Sequence, residues 1–320
     1  MARPGSEAAD PRLGYRNRLR LQVVDGRADF FNTAKRNGCL VVRPELLAGV
    51  DKLRSLTAVD PRLLAGVTHL EARVGDAAPT GVDLGLALSH AVDHEPLRAA
   101  LGPDWLIASP GPTTDGESSA PATLPVPALP YLVTSDGCRV MVPLTSFVQV
   151  NSAVNRQMVD EVVAIADASG AETFLDLFSG AGNFAIPIGA TGRAGVAIDN
   201  SGPAIHRLGA DAPGHITAIE GDARTKCGEL EPADLVVIDP PRAGVQQNHD
   251  VMAGLARKTL ILIGCRLSSF AADVAEFQRQ GMTLRKVRVF NMFPGTAHME
   301  TMAVMTPEPP FAGPTPGDNA

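Results

Sequence analysis

Short apolar segments alternate with helical segments through the C-terminal half of this chain. The apolar segments with the length of a strand are residues 173–177, 193–198, 216–220, 235–238, 259–263, 283–290 and 298–305. Apolar residues recur with a helical period over residues 155–168 and 268–280, as in helices that cover a sheet. This alternation is typical of an α/β fold, in which a largely parallel sheet carries helices on both faces and binds ligands at the carboxyl ends of its strands.

The first predicted strand runs into an acid and a glycine-rich turn, in the stretch FLDLFSGAGNF at residues 174–184. Gly180 and Gly182 allow the backbone to approach a ligand closely, and Asp176 can anchor a cationic amino group. The turn lacks a third glycine in register, and an acid would repel a pyrophosphate. A methionine moiety with its ammonium group therefore fits better, and a nicotinamide-binding domain is the structural alternative.

Acids also end the second and third predicted strands. Asp199 can accept hydrogen bonds from both ribose hydroxyls of an adenosine, and Asp222, in the stretch EGDA, can meet the adenine edge. Each of these acids, taken alone, is more often a turn residue or a helix cap. Three acids and a glycine-rich turn at successive strand ends together predict a site for S-adenosylmethionine.

The fourth predicted strand ends in the stretch IDPPRAG at residues 238–244. Asp239 precedes two prolines, which stiffen the backbone at the mouth of the sheet. Methyltransferases that act on planar nitrogenous rings use such a turn to hold the acceptor, and those that methylate amino groups tend to carry an aromatic residue after the prolines. Arg242 stands there instead, and its donor fork suits the carbonyls or phosphate of a uracil nucleotide.

Cys265 ends the fifth predicted strand, on the rim that carries Asp239. A thiol at the end of an apolar strand is, by itself, more often a buried structural residue. Cys39, Cys138 and Cys227 are predicted to be such residues, and the chain contains no Cys-x-x-Cys pair, so no metal site is expected.

Several stretches resemble the RNA 5-methyluridine methyltransferases, the family that modifies uracil in transfer and ribosomal RNA. The shared stretches are FVQVNSAVN at residue 147, DLFSGAGNF at 176, DPPRAG at 239, the strand end at Cys265, and NMFPGTAHMETM at 291. GYRNRLRL at residue 14 is similar to the start of the family's central domain. The resemblance implies a Rossmann-like class I methyltransferase sheet with helices on both faces, preceded by a smaller β-rich α+β domain. It also implies S-adenosylmethionine as cofactor and transfer of its methyl group to carbon 5 of a uridine in rRNA or tRNA.

The resemblance further implies roles for individual side chains. Cys265 would add to C6 of the uracil and make C5 nucleophilic, and Glu300 would then remove the C5 proton. The residues expected at the cofactor are Gln149, Asp176, Phe178, Gly180, Gly182, Asn183, Asp199, Asp222 and Asp239. The residues expected at the target base are Phe147, Arg242 and His298. The alternatives are a surface strand position for Glu300 and core positions for Phe147 and His298.

The sequence departs from the family pattern near the expected nucleophile. The departures are Gly264, Arg266 and Leu267 beside the cysteine, Ala272 on the next helix, and Asn291 and Gly295 in the last shared stretch. Such changes can alter activation of the thiol or the choice of substrate. Some family members carry an N-terminal RNA-binding barrel and an iron-sulfur cluster with four cysteine ligands. Cys39 resembles the last of those ligands, but its partners are missing, so we expect a short form without barrel or cluster.

The N-terminal half is predicted to form the smaller domain. The predicted segments are a flexible arm at residues 1–13, a β-rich RNA-recognition domain at 14–145 with a Pro/Ser/Gly-rich loop at about 109–130, the methyltransferase domain at 146–306, and a flexible tail at 307–320. Alternation of polar and apolar residues predicts β-hairpins at residues 15–31, around Asp25 and Gly26, and at 131–142. A helix is predicted over residues 46–64.

The charge pattern bears on the choice of partner. A formal net charge of −7 speaks against a large nucleic-acid footprint, because phosphates are contacted by Lys and Arg. Basic residues nevertheless crowd residues 12–36, which predicts either an RNA-facing edge or a solvated strand face. No apolar stretch has the length of a membrane span, so a cytoplasmic protein is expected. We also expect the protein to be monomeric.

Two other functions remain open from the residues alone. The first is a methyltransferase that acts on an amino group in RNA or on a small molecule, with Cys265 as a structural thiol. The second is a catalytically silent RNA-binding homologue that keeps the cofactor fold.

Overall fold

The computed structural model describes residues 12–31, 39–76, 84–109 and 126–308. The chain divides into two compact units. Unit 1 comprises Met1–Gln157, Gly202–Arg207 and Met292–Thr296, and unit 2 comprises Met158–Ser201, Leu208–Asn291 and Ala297–Ala320. Most of the predicted arm, loop and tail lies outside the described residues.

Unit 1 contains a five-stranded sheet covered by helices. Its elements in chain order are β1 (Arg18–Val24), β2 (Arg27–Phe30), α1 (Pro44–Val59), β3 (His69–Val74), β4 (Leu84–Leu88), α2 (Glu95–Leu101) and β5 (Trp105–Ala108). The strand order is β2-β1-β3-β4-β5, with antiparallel neighbours except for the parallel pair of β4 and β5. Helix α1 packs on β2 and β3, and α2 packs on β5. Leu21, Leu46, Leu70 and Leu86 are among the apolar side chains that fill the core between sheet and helices.

Both predicted hairpins are confirmed. Asp25 and Gly26 join β1 to β2 with φ values of 51° and 72°, the left-handed pair that a two-residue turn between twisted strands needs. The second hairpin pairs β6 (Ala128–Leu132) with β7 (Arg139–Pro143). Strand β6 begins inside the segment predicted as a loop at about 109–130, so that loop ends earlier than predicted. The predicted helix at 46–64 is α1 followed by a 3-10 turn at Pro61–Leu64.

Unit 2 is built around a seven-stranded sheet. Its strands are β8 (Thr173–Leu177), β9 (Ala194–Asp199), β10 (Ile216–Glu220), β11 (Ala233–Ile238), β12 (Ala256–Gly264), β13 (Met282–Phe290) and β14 (Glu300–Pro307). The remaining α-helices of the described residues are α3 (Ser152–Ala168), α4 (Ala185–Ala190), α5 (Gly202–Asp211), α6 (Ala223–Lys226), α7 (His249–Gly254) and α8 (Leu267–Arg279). Helix α4 packs against β9, and α7 and α8 pack against β12.

The sheet order of unit 2 brings the predicted strand ends to one edge. The order is β10-β9-β8-β11-β12-β14-β13, with the first five strands parallel and β14 antiparallel to both neighbours. Because β14 runs the other way, its first residue lies at the edge where the parallel strands end. Strands β11 and β12 contain unbroken apolar runs, as strands buried on both faces do. The predicted α/β architecture with a smaller β-rich domain is confirmed.

Among the residues that the structure describes, no helix combines the length and apolar character that crossing a bilayer requires.

Candidate active site

Cys265 and Glu300 meet at the carboxyl edge of the unit 2 sheet. Gly264, the last residue of β12, pairs with Thr301 of β14. Cys265 directly follows Gly264, and Glu300 directly precedes Thr301 in the antiparallel strand. This register brings Cys265 and Glu300 to neighbouring positions. Asp239, directly after β11, joins them at the same edge.

The Cys265 side chain is half-buried rather than sealed in the core. Burial raises the pKa of its thiol, the nearby carboxyls of Glu300 and Asp239 raise that pKa further, and Arg242 acts in the opposite direction. The surroundings of this thiol are therefore two acids and one arginine, not an apolar core. A thiol in such a place can reach a ligand at the edge of the sheet.

Glu300 and Asp239 both hold their protons unusually tightly. Burial and the neighbouring Asp239 raise the pKa of Glu300 to about 8, against the opposing effect of Arg242. Burial raises the pKa of Asp239 to about 7. The side chain of Glu300 is only 4% exposed, so its alternative as an exposed strand residue is wrong. Carboxyl groups with pKa values near neutrality are suited to proton transfer.

Asp176 is fully buried in β8, where its pKa is raised to about 8 by burial and by Asp239 and Asp199, against the opposing effect of a hydrogen bond from the backbone of Ala185. Its Oδ2 accepts a hydrogen bond from the backbone N–H of Ala185 at 2.9 Å. Among the described residues its Oδ1 has no hydrogen-bond partner, and neither has the buried Oγ of Ser179. Two unpartnered buried oxygens beside a glycine-rich turn fit a ligand that carries several hydrogen-bond donors, as an ammonium group does.

Asp176→Asn is expected to stabilise the ligand-free protein by about 1–3 kcal/mol at pH 7.5. The folded state holds the Asp176 proton up to a pKa of about 8, whereas the unfolded state loses it near pH 4. Stability therefore falls as pH rises between these values, and the amide escapes this loss. Urea unfolding at pH 5 and pH 7.5 measures the difference, which should shrink at the lower pH.

Asp199→Asn is the matched control for that change. Both carboxylate oxygens of Asp199 accept backbone hydrogen bonds, from Gly180 and Ser201 at 2.8 Å each. An amide offers only one acceptor oxygen, so this variant should lose stability at pH 7.5. If both variants changed the free energy of unfolding at pH 7.5 in the same direction, the conclusion that folded Asp176 holds a proton would be contradicted.

The turn after β8 has a backbone that few residues adopt. Phe178 has a φ of 69° although it is not a glycine, and Gly180 and Gly182 have φ values of 55° and 97°. A Cβ at Gly182 would lie 2.8 Å from Ile186, whereas a Cβ at Gly180 would meet nothing within 4 Å. Gly182 is thus required for packing, and both glycines have a left-handed backbone that side chains rarely adopt. The half-buried Asn183 follows in the same turn.

Asp222 also caps a helix. Its Oδ1 accepts a hydrogen bond from the backbone N–H of Arg224 at 2.9 Å in the first turn of α6. Its side chain remains 41% exposed. Capping and ligand binding are compatible here, because a carboxylate has more acceptor positions than the cap uses.

The turn at Asp239–Gly244 is fixed by residues that sequence reasoning did not select. Asp273 of α8 accepts a hydrogen bond from the backbone N–H of Val245 at 3.1 Å and pairs with His249 at 2.9 Å. A signal for Asp273 existed: it lies on the buried stripe of α8 with Phe270, Val274 and Phe277, where an acid needs a partner. Arg224 donates hydrogen bonds to the carbonyls of Gly244 and Val245 at the end of the same turn. No comparable local signal in the sequence marks this arginine.

The remaining predicted residues differ in how deeply they are buried. Phe147 and Gln149 belong to unit 1, where Phe147 is 62% exposed and Gln149 is buried, so the core alternative for Phe147 is wrong. His298 is exposed, so its core alternative is wrong as well. Of the three cysteines predicted to be buried, Cys227 is buried, but the other two, Cys39 and Cys138, are only half-buried.

Curated proteins of one kind match this sequence. The 23S rRNA (uracil(1939)-C(5))-methyltransferase RlmD of Pectobacterium carotovorum subsp. carotovorum is 28% identical over 302 residues, which cover 91% of this chain and 63% of that protein. RlmD of Pseudomonas aeruginosa is 29% identical over 321 residues, covering 92% and 68%, and RlmD of Bordetella bronchiseptica is 30% identical over 240 residues, covering 70% and 49%. The chain spans about half to two thirds of the length of these relatives.

A solved structure has the same fold. The Pyrococcus abyssi tRNA (uracil-54, C5)-methyltransferase in complex with S-adenosyl-L-homocysteine matches with a TM-score of 0.67 and 18% identity, covering 92% of this chain and 76% of that one. At this identity the likeness concerns the fold, a class I methyltransferase sheet preceded by a smaller domain. No protein-family model matches the chain.

Proposed function

We propose that this chain, which belongs to the family of RNA uracil-C5 methyltransferases, transfers a methyl group from S-adenosylmethionine to carbon 5 of a uridine in RNA. The single observation that carries the proposal is the arrangement at the sheet edge, where a half-buried Cys265 thiol lies beside Glu300 and Asp239. A nucleophile next to two carboxyl groups of near-neutral pKa is what methylation of an unreactive ring carbon requires.

The residues around the glycine-rich turn fit the proposed cofactor. The unpartnered Oδ1 of Asp176 would hold the methionine ammonium, Asp199 the ribose, and Asp222 and Phe178 the adenine. We also assign Gly180, Gly182, Asn183 and Asp239 to the cofactor site. When bound, S-adenosylmethionine supplies an electrophilic methyl group attached to a positively charged sulfur.

Cys265 and Glu300 divide the chemistry between them. The Cys265 thiolate adds to C6 of the uracil, and the electron pair of the C5–C6 double bond moves onto C5 and the adjoining carbonyl. C5 would then accept the methyl group that S-adenosylmethionine supplies, and the sulfur would leave as the neutral thioether of S-adenosylhomocysteine. The Glu300 carboxylate removes the remaining C5 proton, the double bond re-forms, and the C6–S bond breaks to release the thiolate. Arg242 and His298 would contact the polar edge of the base.

Unit 1 carries the surface that we propose for RNA. Phe147 is 62% exposed, and the Arg18 guanidinium lies 4.8 Å from the centre of its ring. Phe31 is 57% exposed, with Arg20 at 5.9 Å from its ring centre. Exposed aromatic rings next to arginines bind single-stranded RNA, because bases stack on the rings while the guanidinium groups pair with phosphates. This surface supports RNA as the substrate despite the acidic net charge.

Tritium release tests the proposed function. RNA transcribed with uracil tritiated at C5 is incubated with the protein and S-adenosylmethionine, and released tritium and 5-methyluridine are counted. One tritium should be released for each 5-methyluridine formed. Methylation at any other position, without tritium release, would favour an amino-group methyltransferase, and cofactor binding with neither product would favour a silent RNA-binding homologue.

The rate of tritium release from C5 is expected to rise with pH between about 6.5 and 9, because both the attack by Cys265 and the proton removal by Glu300 precede it. Glu300 has its pKa raised to about 8, so it gains the unprotonated form needed to accept a proton as pH increases. The pKa of Cys265 is raised above its ordinary value, so its thiolate also increases over this range. The single-turnover rate of tritium release, with saturating RNA and cofactor, should increase roughly tenfold per pH unit near pH 6.5. A rate that falls across this range, with binding unchanged, would contradict both assignments.

A further inference from the structure

Arg224 is an almost buried arginine that connects two parts of the proposed active site. Its side chain is only 13% exposed, so its charge requires partners inside the protein. The guanidinium donates from Nε to the carbonyl of Val245 at 2.9 Å and from Nη2 to the carbonyl of Gly244 at 3.1 Å. These carbonyls lie at the end of the turn Asp239–Gly244, called the acceptor turn below.

The other side of the same guanidinium faces the residues proposed for adenine. Its Nη1 lies 3.4 Å from Oδ1 of Asp222, and its central carbon lies 4.9 Å from the centre of the Phe178 ring. Phe178 has a left-handed backbone, which is unfavourable for a bulky residue and needs support from its surroundings. Arg224 supplies such support through a cation–π contact.

The end of the acceptor turn is held from both sides. The peptide bond between Gly244 and Val245 has its carbonyl bound by Arg224 and its N–H bound by Asp273. Gly244 has a φ of 81°, and a Cβ there would lie 2.4 Å from a carboxylate oxygen of Asp273. Two nearly buried ions of opposite charge therefore fix one peptide unit, and a shift of the guanidinium moves that unit with it.

We infer that Arg224 is a positioning residue that couples the adenine contacts to the acceptor turn, so that the methyl group of the cofactor is aligned with C5 of the uracil. The inference rests on the proposed function. The acceptor turn carries Asp239 and Arg242, and both act electrostatically on Cys265. Small displacements at such a junction have large effects on transfer between two bound molecules, because reactivity depends steeply on their alignment.

The test compares Arg224→Ala and Arg224→Lys with the wild-type protein. Lysine keeps the positive charge but lacks the planar fork that binds two carbonyls and stacks on a ring. For Arg224→Ala, the dissociation constant for S-adenosylhomocysteine should rise at least about tenfold and kcat at saturating cofactor should fall at least about tenfold. Arg224→Lys should recover stability better than it recovers kcat.

Arg193 offers a matched control in the same unit. Its side chain is also 13% exposed and pairs with Asp167 at 2.7 Å, and its Nε donates to the carbonyl of Ala171 at 2.8 Å. It directly precedes β9, at the amino end of that strand. Arg193→Ala should lower the unfolding midpoint comparably to Arg224→Ala while leaving ligand affinity and kcat within about twofold of wild type.

Calorimetric binding of S-adenosylhomocysteine separates failure of this inference from failure of the proposed function. If the wild-type protein binds the ligand but methylates no uracil, the proposed acceptor is wrong, and the affinity comparison still decides the role of Arg224. If Arg224→Ala loses only stability, as Arg193→Ala does, and keeps wild-type affinity and kcat, the coupling role is overturned. Full recovery of kcat by Arg224→Lys would likewise overturn it, because charge alone would then suffice.

Discussion

Cys265→Ala is expected to lower the rate of methyl transfer to uracil RNA by at least about 10³-fold. Without the thiolate, C5 of uracil has no activated form, because no other cysteine lies at the sheet edge among the described residues. The affinity for S-adenosylhomocysteine should stay within about twofold of wild type, since Cys265 is assigned to the base and lies outside the glycine-rich turn at residues 178–183. Tritium release and calorimetry measure the two effects.

Cys227→Ala is the matched control for the loss of a thiol. Cys227 is 1% exposed and belongs to the apolar core of unit 2. Its replacement should reduce the free energy of unfolding by about 1 kcal/mol and leave the rate per folded molecule unchanged. If the two cysteine variants behave alike, Cys265 is a structural thiol and the proposed chemistry is wrong.

Glu300→Gln is expected to stop the reaction after the methyl group has been transferred. An amide cannot accept the C5 proton, so the double bond cannot re-form and the C6–S bond to Cys265 persists. Turnover should fall by about 10²–10⁴-fold. The covalent complex should survive denaturing electrophoresis, and its mass should include one additional methyl group.

Stability should not explain that loss. Glu300 is 4% exposed and burial and Asp239 raise its pKa to about 8, so the group is mostly uncharged at neutral pH and an amide of the same shape should cost little stability. Glu161→Gln provides a control, because Glu161 pairs with Lys286 and Arg288 elsewhere in unit 2. Normal turnover with Glu300→Gln would show that another group removes the proton.

Local patterns were sufficient to predict much of the fold. Strands β11 and β12 contain the apolar runs 235–238 and 260–263, and β9 ends in Asp199, so these features are visible in a short window of sequence. Strand β5 (Trp105–Ala108) was not predicted, because it has four residues and is defined by its parallel pairing with β4. The start of β6 at Ala128 was missed because prolines and serines dominate the preceding segment.

The sequence predicted that several acids and Cys265 stand at strand ends, but it did not predict the electrostatics around them. The acids and Cys265 stand at strand ends, so topology alone brings them together. The near-neutral pKa of Asp239 arises from burial, and that of Glu300 from burial and from the nearby Asp239, and both causes depend on contacts between distant segments. The same holds for Arg224, whose partners Gly244 and Val245 lie about 20 residues along the chain.

RNA that contains 5-fluorouridine gives the most direct test of the central claim. Fluorine at C5 leaves no proton for Glu300 to remove, so an enzyme that forms a bond between Cys265 and C6 must stall after methyl transfer. With S-adenosylmethionine, the wild-type protein should form a denaturation-resistant complex with this RNA, and peptide mass mapping should locate the bond at Cys265. Methylation of ordinary uracil RNA without any such complex on the fluorinated RNA would contradict the covalent route.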